Sequence, residues 1–381
     1  MIAFDIETAV RDRYAEGAKA AQPALCCPTD GYDGRYLTIL PDEIVEKDYG
    51  CGDPTRYVNE GEVVVDLGSG AGKNCYIIAQ KVGKLGRVIG VDVNDAMLDL
   101  SRSYIDEIAE KIGYHNTKFV RAKIQDLALD LDALNEWIVK NPITTVQQMM
   151  DLEVECDRLR RESPMIATDT VDMVVSNCVL NLVKPEDKKQ LFAEIFRVLK
   201  LGGRAVISDI VCDELPTQAI MDDPDLWSGC ISGAFLETEF LEMFENAGFH
   251  GIEILVRQKE PWQVIDGVEF RSLTVRAYKG KQGECLERHQ AVIYKGPWKS
   301  VQDDDGHTLV RGARMAVCAK TYGLYTDPNG PYSDAVIGIE PYTEVPNDEA
   351  KSFSCNFDSF RDARQTKGLD YRVTIDAQAC C

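Results

Sequence analysis

Thirteen cysteines are spread over the chain, at Cys26, Cys27, Cys51, Cys75, Cys156, Cys178, Cys212, Cys230, Cys285, Cys318, Cys355, Cys380 and Cys381. An odd number over such a length is a poor basis for a disulfide framework. No C-x-x-C pair occurs, so neither a zinc ribbon nor a thioredoxin-type dithiol is expected. The four histidines, His115, His250, His289 and His307, lie too far apart in sequence to form a histidine metal motif. Three kinds of cysteine chemistry remain: apolar burial, thiol redox exchange, or thiolate binding of a soft element.

A second set of residues points to a nucleotide-like ligand. Asp66-Leu67-Gly68-Ser69-Gly70-Ala71-Gly72 joins an apolar run to a segment with helical spacing. Glycines there let backbone approach a ligand closely, and the helix N-terminus behind them favours negative charge. The spacing is G-x-G-x-G, not the dinucleotide G-x-G-x-x-G. Asp92 follows 26 residues after Asp66, at the end of a second apolar run, where a carboxylate can accept hydrogen bonds from ribose hydroxyls. A nicotinamide-binding or non-binding version of the same sheet is the alternative.

These residues need a frame. Val63–Leu67 is a short continuous apolar run, as in a strand buried on both faces. Further strands are expected at Arg87–Asp92, Thr117–Ala122, Val171–Ser176, Arg204–Ile210 and Gly251–Arg257. Helices are expected between them at Asn74–Val82, Asp95–Ile112, Pro185–Leu199 and Glu237–Ala247. Strand–helix alternation predicts an α/β, Rossmann-like, doubly wound sheet. Ala128–Thr168 interrupts the rhythm and reads as an inserted helical hairpin on the rim. The expected organisation is an N-terminal helical and loop segment over 1–60, a nucleotide-binding domain over 61–258 with insertion 128–168, and a smaller β-rich domain over 259–381. Strands are expected in the last at Val264–Tyr278, Gln290–Tyr294, Leu309–Ala316 and Arg372–Ile375.

In this architecture the carboxyl ends of the strands face the ligand. Cys178 falls just after the fourth strand, Cys75 on the helix behind the glycine loop, and Cys230 in a loop expected over the strand ends. Fold position thus brings three cysteines from separate segments toward one mouth.

The glycine loop with its preceding Asp66 resembles the first motif of class I S-adenosylmethionine methyltransferases. That resemblance implies cofactor contacts from Asp66, Gly68, Ser69, Gly70, Gly72, Asp92, Asn94, Met97, Ile124, Gln125 and Asn177. Within the class, four stretches resemble arsenite methyltransferases: Tyr49-Gly50-Cys51-Gly52, the glycine loop with Cys75-Tyr76, Ser176-Asn177-Cys178-Val179 with Asn181-Leu182, and Leu226-Trp227 followed by Cys230. The resemblance spans about residues 45 to 260. It implies that S-adenosylmethionine methylates trivalent arsenic bound by thiolates. Cys178 and Cys230 are the implied ligands. Cys75 is the implied third ligand or redox thiol, paired with Cys26 or Cys27. Cys212 is expected in the core and Cys156 on the insertion. Cys285, Cys318 and Cys355 have no assigned chemistry.

Composition limits the partners. The sequence has 42 basic and 63 acidic residues, a net charge of −21. Duplex nucleic acid and anionic membrane surfaces would repel such a chain. The N-terminal residues do not read as a signal peptide, and no apolar run reaches membrane-spanning length. The expectation is a cytoplasmic, monomeric enzyme using a small thiophilic acceptor and a thiol reductant. Two other readings stay open: a methyltransferase of another thiophilic or organic acceptor, and a metalloid-binding sensor on a vestigial fold.

Overall fold

The computed structural model describes residues 6–20, 22, 31–355 and 359–367. The chain divides into two compact units, Met1–Lys279 and Gly280–Cys381. Among the described residues no helix is long and apolar enough to cross a membrane.

The first unit is built on nine strands: β1 (Val63–Leu67), β2 (Arg87–Asp92), β3 (Thr117–Arg121), β4 (Val171–Asn177), β5 (Leu199–Cys212), β6 (Phe235–Leu236), β7 (His250–Arg257), β8 (Gln263–Ile265) and β9 (Val268–Tyr278). The sheet order is β3-β2-β1-β4-β5-β9-β7, with β6 beside β5 and β8 beside β9. Strands β1 to β5 run parallel, with Val65 opposite Ile89 on one side and Val174 on the other. Strand β9 lies antiparallel between β5 and β7.

Helices α1 (Ile6–Lys19), α2 (Gly34–Leu37), α3 (Asp42–Glu46), α4 (Lys73–Val82), α5 (Asp95–Ser103), α6 (Ile105–Ile112), α7 (Leu131–Lys140), α8 (Val146–Glu162), α9 (Pro185–Val198), α10 (Gln218–Met221), α11 (Pro224–Ser228) and α12 (Glu237–Asn246) complete this unit. Valines Val64 and Val65 are adjacent, both buried, and belong to different apolar clusters. The pleat sends neighbouring side chains to opposite faces, so continuous apolar strands need cover on both. One cluster contains Phe192, Phe240, Phe244 and Phe249, with Phe192 edge-on to Phe244 at 4.9 Å between ring centroids. The other contains Tyr76, Ile77 and Ile78 from α4.

Two expectations change in this unit. The domain break expected near residue 259 falls after Lys279, because Val268–Tyr278 pairs along most of β5. The signal for that hairpin was Asp266-Gly267, both at positive φ in its turn. The helix expected over Asp95–Ile112 breaks at Tyr104, whose φ and ψ of −105° and 1° leave the helical region. The strand expected at Arg372–Ile375 lies outside the described residues. Over 128–168 the structure has α7 and α8, sharing a small cluster of Leu129, Leu134 and Leu159. Helix α8 starts with a Thr145–Gln148 capping box.

The second unit holds β10 (Leu286–Glu287), β11 (Ala291–Tyr294), β12 (Ser300–Gln302), β13 (Thr308–Val310), β14 (Arg314–Ala316), α13 (Ala319–Thr326), β15 (Val336–Ile339) and β16 (Lys351–Ser352). Its central sheet is antiparallel, in the order β14-β11-β15, with β10-β16 and β12-β13 as separate pairs. Gly312, at φ 78°, separates the two strands expected as one over Leu309–Ala316. Val292, Tyr294, Met315 and Tyr325 lie in its core.

Candidate functional site

Strand β1 ends at Leu67, and the loop turns through Gly68 and Gly70 at positive φ before Gly72 caps α4. Asp92, at the end of β2, accepts from the Gly70 amide at 2.9 Å and from the Asn94 amide at 2.8 Å. Burial pushes its carboxyl up, and these backbone donors pull it down. Asn94 in turn caps α5 by accepting from the Ala96 and Met97 amides. The carboxylate is therefore fixed at the junction of loop and helix.

A cavity of about 450 Å³ opens over these strand ends. Of the residues predicted from sequence, Gly68, Ser69, Gly70, Asp92, Asn94, Met97, Ile124, Gln125, Asn177 and Cys178 line it. Its size suits a small-molecule ligand. The buried Ser69 hydroxyl has no protein partner and lies in this wall. An unpaired buried hydroxyl calls for a ligand acceptor or donor, so the residues fit S-adenosylmethionine.

Two predicted cofactor residues do not line the cavity. Asp66 is buried behind the loop, where it accepts from the Cys75 thiol at 3.2 Å. Burial raises its carboxyl to about 7, and the thiol bond opposes that rise. Gly72 starts α4, and a Cβ there would lie 2.8 Å from Phe119 and 3.1 Å from Ser101. The helix expected in the N-terminal segment is present as α1, but sequence reasoning gave it no part in the site. Glu7, Arg11 and Tyr14 line the cavity, and Lys123 reaches Glu7 at 2.9 Å. The Asn94 side chain donates to the Arg11 carbonyl at 2.9 Å.

The cysteines separate into two groups. Cys178 and Cys230 meet: the Cys230 thiol donates to the Cys178 carbonyl at 3.1 Å, and both residues are buried. Both have φ 65°, a left-handed conformation that side chains other than glycine rarely take. Asn181 ties their loops together, donating to the carbonyls of Ile210 and Cys230 at 2.7 and 3.1 Å. The buried Asp209 accepts from the Leu180 amide at 2.8 Å, fixing the turn after Cys178. Tyr14 brings its hydroxyl to 3.9 Å from the Cys230 sulfur. Burial, then Cys230 and Cys178, push that hydroxyl well above its usual range.

Cys75 does not join this pair. As the third residue of α4 it points into the core with Tyr76 and Ile77, and its thiol is engaged by Asp66. Burial and the adjacent carboxylate push its thiol well up, against thiolate formation. Cys26 and Cys27 lie outside the described residues.

Cys51, rather than Cys75, lies with the pair. It shares one buried apolar cluster with Cys178, Cys212 and Cys230. Asn177 fixes it there, accepting from the Cys51 and Gly52 amides at 2.8 and 3.0 Å. The same amide donates to the Gly52 carbonyl and the Tyr32 hydroxyl. Asn177 thus lines the cavity while its polar atoms hold the Cys51 loop. A Cβ at Gly50 would lie 2.1 Å from Asn177, and one at Gly52 2.5 Å from Ser208. Glycine on each side of Cys51 lets that loop press onto Asn177 at the end of β4 and Ser208 within β5. The Gly-Cys-Gly triplet was the available signal. Cys212 has a different environment, donating to the Phe235 carbonyl at 3.3 Å.

The chain belongs to the methyltransferase domain family, which matches residues 58–162 and 153–248. Its fold is the class I methyltransferase fold, and it is an enzyme that takes its methyl group from S-adenosylmethionine. It is similar to the arsenite methyltransferase of Aquipseudomonas alcaligenes, at 29% identity over 79% of this chain and 81% of that protein. The arsenite methyltransferase of Homo sapiens is 31% identical over 68% of this chain and 62% of its own length. Among solved structures, CrArsM, an arsenic(III) S-adenosylmethionine methyltransferase from Chlamydomonas reinhardtii, matches at 26% identity and a TM-score of 0.54. That likeness covers 86% of this chain and 99% of CrArsM. Residues 281–371 match a family described as a domain of unknown function.

Proposed function

We propose that the chain methylates trivalent arsenic held by cysteine thiolates at the mouth of the cofactor cavity. The observation that carries this reading is the pair Cys178 and Cys230, joined at the end of β4 beside the cavity. Similarity to arsenite methyltransferases over most of the chain supports arsenic as the acceptor.

Soft thiolates suit a soft element and leave the lone pair of trivalent arsenic free as a nucleophile. S-Adenosylmethionine supplies an electrophilic methyl group. In this reading Asp92 holds the ribose, and Gly68, Ser69 and Gly70 face the amino-acid end of the cofactor. Cys178 and Cys230 bind the acceptor, and Cys51 supplies the third thiol. Tyr14 keeps its proton and can donate to the thiolate of Cys230. Accepting a methyl cation raises arsenic from the +3 to the +5 state. Two thiols closing to a disulfide return two electrons, and a small thiol then reopens that disulfide.

The test is incubation of the full chain with S-adenosylmethionine, arsenite and a reducing thiol, followed by separation of arsenic species. Methylated arsenic with equivalent S-adenosylhomocysteine is expected. S-Adenosylmethionine binding without any methylated arsenic would refute the acceptor assignment.

A further inference from the structure

The second unit contains another cysteine group, from three segments far apart in sequence. Cys285 precedes β10, Cys318 caps α13 and Cys355 follows β16, and their sulfurs all lie within 4.8 Å of one another. All three are free thiols. Each is placed by its own backbone device. The Cys285 carbonyl accepts from the Phe353 amide at 2.7 Å, extending the β10–β16 ladder toward Cys355. The Cys318 sulfur accepts from the Thr321 amide at 3.4 Å, with the Thr321 hydroxyl at 3.2 Å. His307 sits between Asp303 and the Cys355 carbonyl, with ring nitrogens at 2.9 and 3.0 Å from them. Cys318 is fully buried while Cys285 and Cys355 are partly exposed, which gives an ion a way in.

We infer that Cys285, Cys318 and Cys355 form a three-thiolate site that binds trivalent arsenic in the second unit. Donor number and type select the ion. Among the described residues no fourth cysteine, histidine or carboxylate joins the group. Structural zinc takes four ligands and would be one short. Trivalent arsenic is complete with three sulfurs, because its lone pair occupies the remaining position. Loading balances without an oxidant: arsenous acid exchanges three As–O bonds for three As–S bonds. The three thiol protons leave with the hydroxyl groups as three waters, and arsenic stays at +3. The product is neutral, which suits a partly buried position. The neighbouring group Asp303, Asp305 and His307 is not a rival site. Both Asp303 oxygens are taken, by the Asp305 and His307 amides, the His307 ring and the Tyr325 hydroxyl.

The choice of arsenic rests on the proposed acceptor, so the test needs no methyl transfer. Reduced full-length Cys178→Ser protein is titrated with arsenite in the absence of S-adenosylmethionine. Bound arsenic per chain is read by native mass spectrometry, and the sulfur shell by arsenic-edge X-ray absorption. Adding Cys355→Ser is expected to lower tight binding by one arsenic per chain, as is adding Cys285→Ser. Cys318→Ser should do the same, and if loss of its helix cap prevents folding, the two partly exposed positions decide. Unchanged arsenic content in folded Cys285→Ser and Cys355→Ser proteins would overturn the site. So would one zinc per chain in the purified protein that disappears in these variants. Failure of the acceptor reading would instead appear as absent methylated product in the parent protein.

Discussion

The two cysteine groups use the same side chain in different ways. Around Cys285 the three sulfurs are gathered within 4.8 Å. Around Cys178 the thiols share an apolar cluster beside the cavity, but Cys51, Cys178 and Cys230 are not a mutually close set of that kind. Each of these loops is held by its own hydrogen bonds, through Asn177, Asp209 and Asn181. A gathered set needs little rearrangement to hold an ion, which favours retention. A set on separate loops beside a cavity closes on a substrate and can let product go. Thiol count alone does not separate storage from turnover; spacing and neighbours do.

The largest expected effect falls on the spread group. Cys178→Ser and Cys230→Ser should each lower methyl transfer to arsenite by about 100-fold or more, or about 2.7 kcal/mol in the barrier. Calorimetry should find S-adenosylmethionine binding unchanged. Parent-level turnover in either variant would remove that cysteine from the site.

Next comes the cofactor side. Asp92→Ala should weaken S-adenosylmethionine by about 1.5–3 kcal/mol, the scale of a hydrogen bond to a charged group. Equal affinity in a folded variant would exclude Asp92 from ribose binding.

A smaller effect is expected from the positioning of Cys51. Asn177→Ala frees the Cys51 and Gly52 amides, and turnover should drop by roughly tenfold, the scale of one or two lost hydrogen bonds. Cofactor affinity should change far less than turnover. The reverse pattern would return Asn177 to the cofactor and detach Cys51 from the thiol group.

The smallest effect on turnover is expected around the cysteine that stays apart, where the readout is stability. Asp66, the partner of Cys75, has its carboxyl raised from 3.8 to about 7 by burial. The folded state then holds this proton more tightly than the unfolded chain. The stability it adds is complete below pH about 4 and lost as pH rises through about 7. Thermal unfolding from pH 4 to 7 should therefore fall more steeply for the parent than for Asp66→Asn. Parallel curves would contradict the buried, protonated state of Asp66.

These contrasts mark what could be read from sequence. Val63–Leu67 and the glycine loop were legible because a buried parallel strand and a close-approach turn each leave a local pattern. So were Cys178 and Cys230, since topology puts strand ends together. Cys75 misled because position in sequence does not give the phase of a helix face. Two residues into α4, its side chain already points at the core. Cys51 was passed over because its placement comes from Asn177, which lies 126 residues away. The Cys285 group was illegible for the same reason, as its three segments meet only through antiparallel pairing and a helix cap. The domain boundary was misplaced because β9 reverses direction, which strand–helix alternation does not anticipate.

In the proposed function, thiols at the end of β4 hold the methyl acceptor. Arsenic-edge X-ray absorption tests it most directly, on the full chain with Cys285 and Cys355 changed to serine. A sulfur shell around arsenic that is lost on adding Cys178→Ser is the predicted result. An oxygen-only shell, or a sulfur shell indifferent to Cys178→Ser, would contradict it.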